Sequence, residues 1–236
     1  MSHGTIYCAF LSEAGRLRIL SIDTSTQSGS IALVEDGALV AEFTVEQVKT
    51  HSRWLLKGVD DFLKAQGVPI EEIDVFAMGT GPGSFTGLRI GVACVKGLSW
   101  ALRKPVIGVS TLNALAMNIP FAPFMVCPVL DARKNELYAA LFKFSRDGCE
   151  RLTEDVSVAP EGLFNMIEGE GGGPVIFLGG GLKLYEDVIR GNVKDAVIAP
   201  RTFWCVRASN IGILAGKGSA KPVSAEFLTP LYLRKY

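Results

Sequence analysis

The segment Gly79-Thr80-Gly81-Pro82-Gly83-Ser84-Phe85-Thr86-Gly87-Leu88-Arg89-Ile90-Gly91 joins a glycine-rich turn to the start of a helical pattern. Such a turn aims free N–H groups and the positive end of a helix dipole at one spot, which is the chemistry of anion binding. Its spacing is neither G-x-x-x-x-G-K-[ST] nor G-x-G-x-x-G, so it is not a Walker loop or a dinucleotide fingerprint. Ser84 lacks the G-x-S-x-G setting of a hydrolase nucleophile, and no histidine lies near it in the chain. A second candidate is Asp23, followed by Thr24, Ser25, Thr26, Gln27, Ser28 and Gly29. Amides and hydroxyls of this turn could face phosphates while Asp23 holds a metal through water; the same residue types also make an ordinary hairpin turn. Asp131 and Gly179-Gly180-Gly181 occupy corresponding places later in the chain. The two histidines, His3 and His51, form no H-E-x-x-H or H-x-x-x-H pair, which argues against a catalytic zinc or other metal centre. His51 reads as a polar residue at a helix start, and Asp60-Asp61, Glu71-Glu72 and Glu154-Asp155 read as solvated surface.

These residues need elements to carry them. From Leu17 the pattern predicts strands over 18–22, 30–34 and 38–44, with Asp23 in the first turn. Trp54, Leu55, Val59, Phe62 and Leu63 then form the buried stripe of an amphipathic helix closed by Gly67 and Pro69. A strand over 75–78 enters the glycine turn, a helix runs over 84–102, and a strand (106–109) and a helix (111–117) follow. The second half repeats the plan: strands over 125–130, 137–144 and 152–158, a helix over 160–167, a strand over 175–178, and a helix after Gly181. Repetition of one unit of this kind is the sign of a duplicated α/β fold. The implied division is an extension (1–16), a first βββαβα subdomain (17–122) and a second, smaller one (123–236).

The helix over 84–102 is chemically odd. Gly87, Gly91 and Gly97 each cost about 1 kcal/mol against Ala in a helix interior, and Leu88, Ile90, Val92, Cys94, Val95, Leu98 and Trp100 leave it apolar on most sides. Such a helix needs cover all round. Either it is buried within its own chain, or one side lies on its own sheet and the other, with the helix around Trp54, meets a partner.

Across 236 residues Lys+Arg and Asp+Glu both number 24, so no general field draws the chain to a nucleic-acid backbone or an acidic membrane. A stand-alone nucleic-acid binder is disfavoured, and Arg201, Arg207, Arg234 and Lys235 are the candidates for a few local contacts. Cys8, Cys94, Cys127, Cys149 and Cys205 form no C-x-x-C pair and suggest neither a zinc knuckle nor a disulfide framework, in keeping with a reducing cytoplasm. Apolar stretches end well short of the ~20 residues a bilayer span needs, and the first sixteen residues lack the features of a secretory signal.

Taken with Ile19-Leu20-Ser21-Ile22-Asp23-Thr24-Ser25, His51-Ser52 and Pro230-Leu231-Tyr232-Leu233-Arg234, the string from Gly81 to Gly91 resembles the bacterial TsaB (YeaZ) family. The resemblance runs from about Leu17 to Tyr236 and is strongest in the first half. It implies an actin/Hsp70-like (ribonuclease H-like) ATPase fold of two related subdomains, and a role in attaching threonylcarbamoyl to the tRNA adenosine beside the anticodon. It also implies that this chain is not the transferase: a related TsaD subunit carries the metal-binding histidines and the nucleotide, and TsaE joins as an ATPase. The family pairs with TsaD through two first-subdomain helices, which here makes Trp54, Leu55, Val59, Phe62, Leu88, Gly91, Val92, Val95 and Leu98 the expected interface. Alone, the chain would form a homodimer through the same patch. Asp23, Gly79, Gly81, Gly83, Gly179, Gly180 and Gly181 would be vestigial nucleotide loops, with no tightly bound cofactor and ATP or ADP associating only in the complex. tRNA would be met mainly through the complex. The alternative from another class is a stand-alone small-molecule kinase of the same fold, using those loops around ATP with Asp131 as the second acid; a peptidase has the least support.

Overall fold

The computed structural model describes residues 15–46, 51–146, 148–218 and 221–233. The extension up to residue 14, with His3 and Cys8, lies outside these residues, as do Arg234 and Lys235. The described chain forms two compact units, one built from the N-terminal part to Ser110 together with Val206–Leu231, the other containing Thr111–Cys205.

In the first unit, strands β1 (Arg18–Asp23), β2 (Gly29–Glu35), β3 (Ala38–Val45), β4 (Val75–Gly81) and β5 (Val106–Ser110) form a sheet of order β3-β2-β1-β4-β5. The pairs around β1–β2–β3 are antiparallel and those of β1–β4 and β4–β5 parallel. Strand β1 is buried from Ile19 onward because both faces of the sheet are covered. On one face Leu20, Ile22, Phe76 and Met78 meet Leu55, Val59 and Phe62 of α1 (His51–Gln66) and Val92 and Val95 of α2 (Phe85–Leu102) in one core cluster. The opposite face is covered by the helix at Ala208–Gly216, here α6, which packs on β1, β2 and β4. Two serines fasten it: Ser21 Oγ donates to Ala208 O at 2.7 Å, and Ser30 Oγ accepts from Ala208 N at 3.0 Å. Gly212 lets α6 approach, since a Cβ there would stand 2.7 Å from Val34 Cγ2. The segment after α6 closes the edge of β5 through reciprocal bonds between Val106 and Val223 and buries Leu228.

The second unit begins with α3 (Thr111–Ala116) and repeats the strand plan. Strands β6 (Met125–Arg133), β7 (Glu136–Ala139), β10 (Val156–Val158), β11 (Val175–Leu178) and β12 (Ala196–Ile198) lie in the order β10-β7-β6-β11-β12. Pairing is again antiparallel on one side of the first strand and parallel on the other. Helices α4 (Pro160–Gly169) and α5 (Leu182–Asn192) complete it, and β8 (Phe142–Ser145) and β9 (Gly148–Arg151) form an added hairpin on β6. Two sheets of the same order and polarity in one chain are the duplicated actin/Hsp70-like (ribonuclease H-like) arrangement.

The structure revises the expected elements in three places. The single strand over 137–144 is interrupted at Leu141, whose N–H donates to Thr153 Oγ1 and whose carbonyl accepts from Leu152 N, so β7 and β8 are separate. The strand over 152–158 shrinks to β10, preceded by a turn held by the Arg151–Asp155 ion pair. The boundary at 122/123 is also displaced: α3 packs on β6, while residues 206–231 return to the first sheet because α6 is the only described helix that covers its second face.

Candidate functional site

The glycine-rich turn is built around Asp23. Gly79, Gly83, Gly87 and Gly91 recur every fourth residue, from the end of β4 into α2, and each faces the β1–β2 turn. A Cβ on Gly79 would overlap Asp23 Oδ1, one on Gly83 the Ser25 carbonyl, one on Gly87 the Thr24 carbonyl, and one on Gly91 Met78 Cε and Thr24 Oγ1. Gly81, at φ +120° beside the Leu231 carbonyl, occupies a conformation that favours glycine. Hydrogen bonds complete the seam: Ser84 N donates to Ser25 O at 2.6 Å, Thr24 Oγ1 to Gly87 O at 2.8 Å, and Ser84 Oγ caps α2 by accepting from Gly87 N at 3.3 Å. His51 Nε2 at the start of α1 donates to Thr26 O at 3.0 Å, and its buried Nδ1 has no partner.

Ser25 N is held by Asp23 Oδ2 at 3.2 Å and Ser28 N by Thr26 Oγ1 at 3.2 Å, so two amides of the turn serve the turn itself. Asp23 is fully buried, with Oδ2 accepting from Ser25 and Oδ1 unpartnered. Burial pushes its carboxyl up to about 7, opposed only in part by the Ser25 bonds. The Asp23 carboxylate is thus closed to solvent, and the Ser25 and Ser28 amides are turned inward to the turn's own oxygens. The glycines serve packing.

In the second unit, Gly179 (φ +114°) and Gly181 pack on the backbone of β6 at Val129 and Leu130, and Gly181 N donates to Val129 O at 2.9 Å. Gly180 alone faces open space. Asp131 is exposed at the end of β6 and accepts from Arg133 N at 2.7 Å. Among the described residues no three His, Cys, Asp or Glu side chains gather as a metal site, and no helix is long and apolar enough to cross a membrane.

The two-helix face requires a correction. Leu55, Val59, Phe62, Leu88, Gly91, Val92 and Val95 are all buried within the first unit. The apolar stripe that marks a helix face in sequence marks the side that meets the chain's own sheet, so these seven are core residues, and of them Val59 also reaches the floor of a surface groove. Trp54 and Leu98 are half-buried, Trp54 stacking on Phe43 with ring centres 6.2 Å apart. The outer side of the layer is different: Leu56 is 61% exposed, and Ala93, Gly97 and Ala101 form an exposed row of small residues along α2. Beside it an apolar groove of about 370 Å³ runs between α1 and α2, floored by Val59, Leu63 and Leu98 and rimmed by Leu56, Val68 and Ile70. The signal for this surface was present in the sequence as the 93-97-101 spacing, which is distinct from the 87-91 pair that the fold consumes. Of the expected RNA contacts, Arg207 is tied to Glu42 at 2.9 Å and the Arg201 guanidinium lies over the Trp204 ring.

Comparison with known proteins places this architecture. The family model described as TsaD: tRNA N6-adenosine threonylcarbamoyltransferase matches residues 38–229. The tRNA threonylcarbamoyladenosine biosynthesis protein TsaB of Bacillus subtilis is 32% identical over 219 residues, 92% of this chain and 94% of that protein. This chain belongs to the TsaB family. TsaB of Escherichia coli is 31% identical over 222 residues with similar coverage. A crystal structure titled as an uncharacterized protein with similarity to peptidase YEAZ from Pseudomonas aeruginosa superposes with a TM-score of 0.79 at 28% identity, over 92% of this chain and all of that one. The transferase itself is a partial relative: that of Kosmotoga olearia is 32% identical over 130 residues, 49% of this chain and 38% of its own length.

Proposed function

We propose that this TsaB-family chain acts in the synthesis of threonylcarbamoyladenosine on tRNA as a non-catalytic subunit, pairing with a TsaD-type transferase through the outer side of α1 and α2. The observation that carries the reading is Gly97. A Cβ there would touch nothing among the described residues, so a cost of about 1 kcal/mol in an exposed helix interior has no return among them. A bare backbone flanked by Ala93 and Ala101 and bordered by Leu56 and the apolar groove is what close approach of another helix requires. A transferase with a related half supports a pseudo-symmetric pairing, helix layer to helix layer, and without it a second copy of this chain takes the place. Holding the transferase in its productive conformation is then a population shift supplied by interface contacts, with a TsaE-type ATPase as the third component. The packed turn around Asp23 supports a chain that binds no nucleotide tightly by itself, which also disfavours the stand-alone kinase.

Gly97→Leu tests the reading. The new side chain points outward, so the isolated chain should be as stable as the parent or more so, while affinity for the transferase falls at least about ten-fold, as a misfitted interface core commonly costs. Titration calorimetry with purified TsaD-type protein and reconstituted modification of unmodified tRNA measure both. Full affinity and activity in a folded Gly97→Leu variant would remove this face from the pairing. Gly91→Leu is not a substitute, because its side chain would strike Met78 and Thr24.

A further inference from the structure

We propose that a second row on α2, formed by Lys96, Trp100, Arg103 and Lys104 with Phe227 beside it, binds a segment of RNA with unpaired bases, Trp100 stacking on a base and the cations meeting the flanking phosphates. At 100° per residue, Lys96, Trp100 and Arg103 fall within about 60° of the helix circumference, and the Ala93-Gly97-Ala101 row lies roughly a quarter turn further round. The two rows adjoin along one edge, Trp100 standing one turn from Gly97, and they differ in chemistry, one bare backbone and the other aromatic and cationic. Trp100 is 84% exposed and Phe227, on the short helical turn Ala225–Phe227, is 69% exposed. That turn is fastened to α2, since Lys96 Nζ donates to Glu226 O at 3.1 Å. The two bare aromatic rings therefore belong to one neighbourhood of the first unit.

Charge selects the occupant. From Phe85 to Lys104 the chain carries Arg89, Lys96, Arg103 and Lys104 and no acidic residue. Arg16, Arg18, Lys57, Lys64, Arg151, Arg190 and Arg207 are all held in ion pairs. Among the described residues Lys96, Arg103 and Lys104 are in no ion pair, as holds also for Arg53, Lys134 and Lys143 elsewhere; here the three lie on or at the end of one helix with no acidic residue, and the nearby Glu226 carboxylate is turned to Ser224 Oγ at 3.1 Å. A helix dipole welcomes cations at its C-terminal end, which accounts for Arg103 and Lys104 but not for Lys96 in the middle of the helix or for a Trp left in water. Arg103 sits at φ 56° in the helix-terminating position that glycine usually takes. Protein interfaces deplete lysine from their centres, whereas surfaces for single-stranded nucleic acid interleave aromatic platforms with Lys and Arg. The choice of RNA over DNA rests on the functional reading above; the contact chemistry rests on α2 alone.

The test uses the full chain and a fluorescein-labelled single-stranded oligoribonucleotide of about ten nucleotides, a length within one such site, with the same sequence as a duplex for comparison. Anisotropy should show tighter binding of the single strand. Trp100→Ala should weaken it about ten-fold, with Trp100→Phe restoring most of the loss. Lys96→Ala with Arg103→Ala should lower the slope of log affinity against log salt by about 1.4, the value for two phosphates on a single strand. Trp100 and Arg103 are exposed and Lys96 is half-exposed, and unchanged thermal unfolding verifies that each variant folds. Equal binding of duplex and single strand, an unaltered salt slope, or a Trp100→Ala variant that keeps its RNA affinity overturns the proposal. Loss of transferase pairing rather than RNA affinity in Trp100→Ala also overturns it, by assigning the ring to a protein contact. The Gly97→Leu experiment reads transferase pairing independently, so failure of one proposal leaves the other standing.

Discussion

Replacing Asp23 by Asn gives a quantitative test of the packed turn. Asp23 is fully buried, and burial raises its carboxyl from 3.8 to about 7. The sign follows from proton linkage: a folded state that binds its proton more tightly than the unfolded state loses stability as pH rises between the two values. Below about pH 4 both states are protonated and the residue costs nothing by this route. Between about 4 and 7 stability falls by about 1.4 kcal/mol per pH unit, and above 7 the loss levels off at roughly 4 kcal/mol. Asn keeps the shape without the charge. Its carbonyl can take the place of Oδ2 under the two Ser25 donors, leaving its NH2 where Oδ1 now lies unpartnered. One unpaired buried atom thus replaces another, at a cost that does not vary with pH. The informative quantity is the slope: the stability gained by Asp23→Asn should grow by about 2 kcal/mol between pH 5 and pH 7 and level off by about pH 8. Urea unfolding at half-unit steps from pH 4.5 to 8.5 measures it. A difference that is flat with pH, or that shrinks as pH rises, would show that Asp23 is solvated or paired in solution and would reopen the turn to a metal or phosphate.

Two further outcomes follow from the glycine seam and from α6. Gly87→Ala forces a methyl into the Thr24 carbonyl and should destabilise by about 2 kcal/mol or more, as overpacking against backbone does. Gly97→Ala, on the same helix with nothing near it, should stabilise by about 1 kcal/mol; thermal melts that show equal effects would refute the assignment of the two glycines. Truncation after Cys205 removes α6 and bares the second face of the β1–β5 sheet, so the first unit should lose cooperative unfolding. A chain ending there that melts in the parent manner would show that α6 is dispensable.

The strands around Asp23 were legible because alternating or continuous apolar runs bounded by turn residues are local signals, and β1, β2, β3, β5 and α1 to α3 follow them closely, whereas β4 runs on through Gly81 into residues that read as turn because Gly79 and Gly81 pair with β5. The duplication was legible for the same reason. The break at Leu141 was not, since it depends on a Thr153 hydroxyl from another part of the chain replacing a ladder partner. Helix α6 escaped notice because Ala208–Gly216 is short, lacks a side-chain cap and is apolar on nearly every side, so neither periodicity nor capping marks it.

The candidate sites show the same division. Local order and composition were enough to reveal a glycine-rich turn, a helix of unusual glycine content and a chain without a histidine pair, because residue type and spacing carry that information directly. They could not separate a glycine that binds an anion from one that admits a neighbouring carbonyl, or a Val that meets a partner from one that meets its own sheet. Those distinctions belong to the packing of β1, β4 and α6 around one another: it takes Asp23 out of water, spends Gly79, Gly83, Gly87 and Gly91 on the β1–β2 turn, and turns Gly97 and Trp100 outward. A side chain's chemistry is set by its own atoms, but its availability is set by residues far along the chain that lie against it in space.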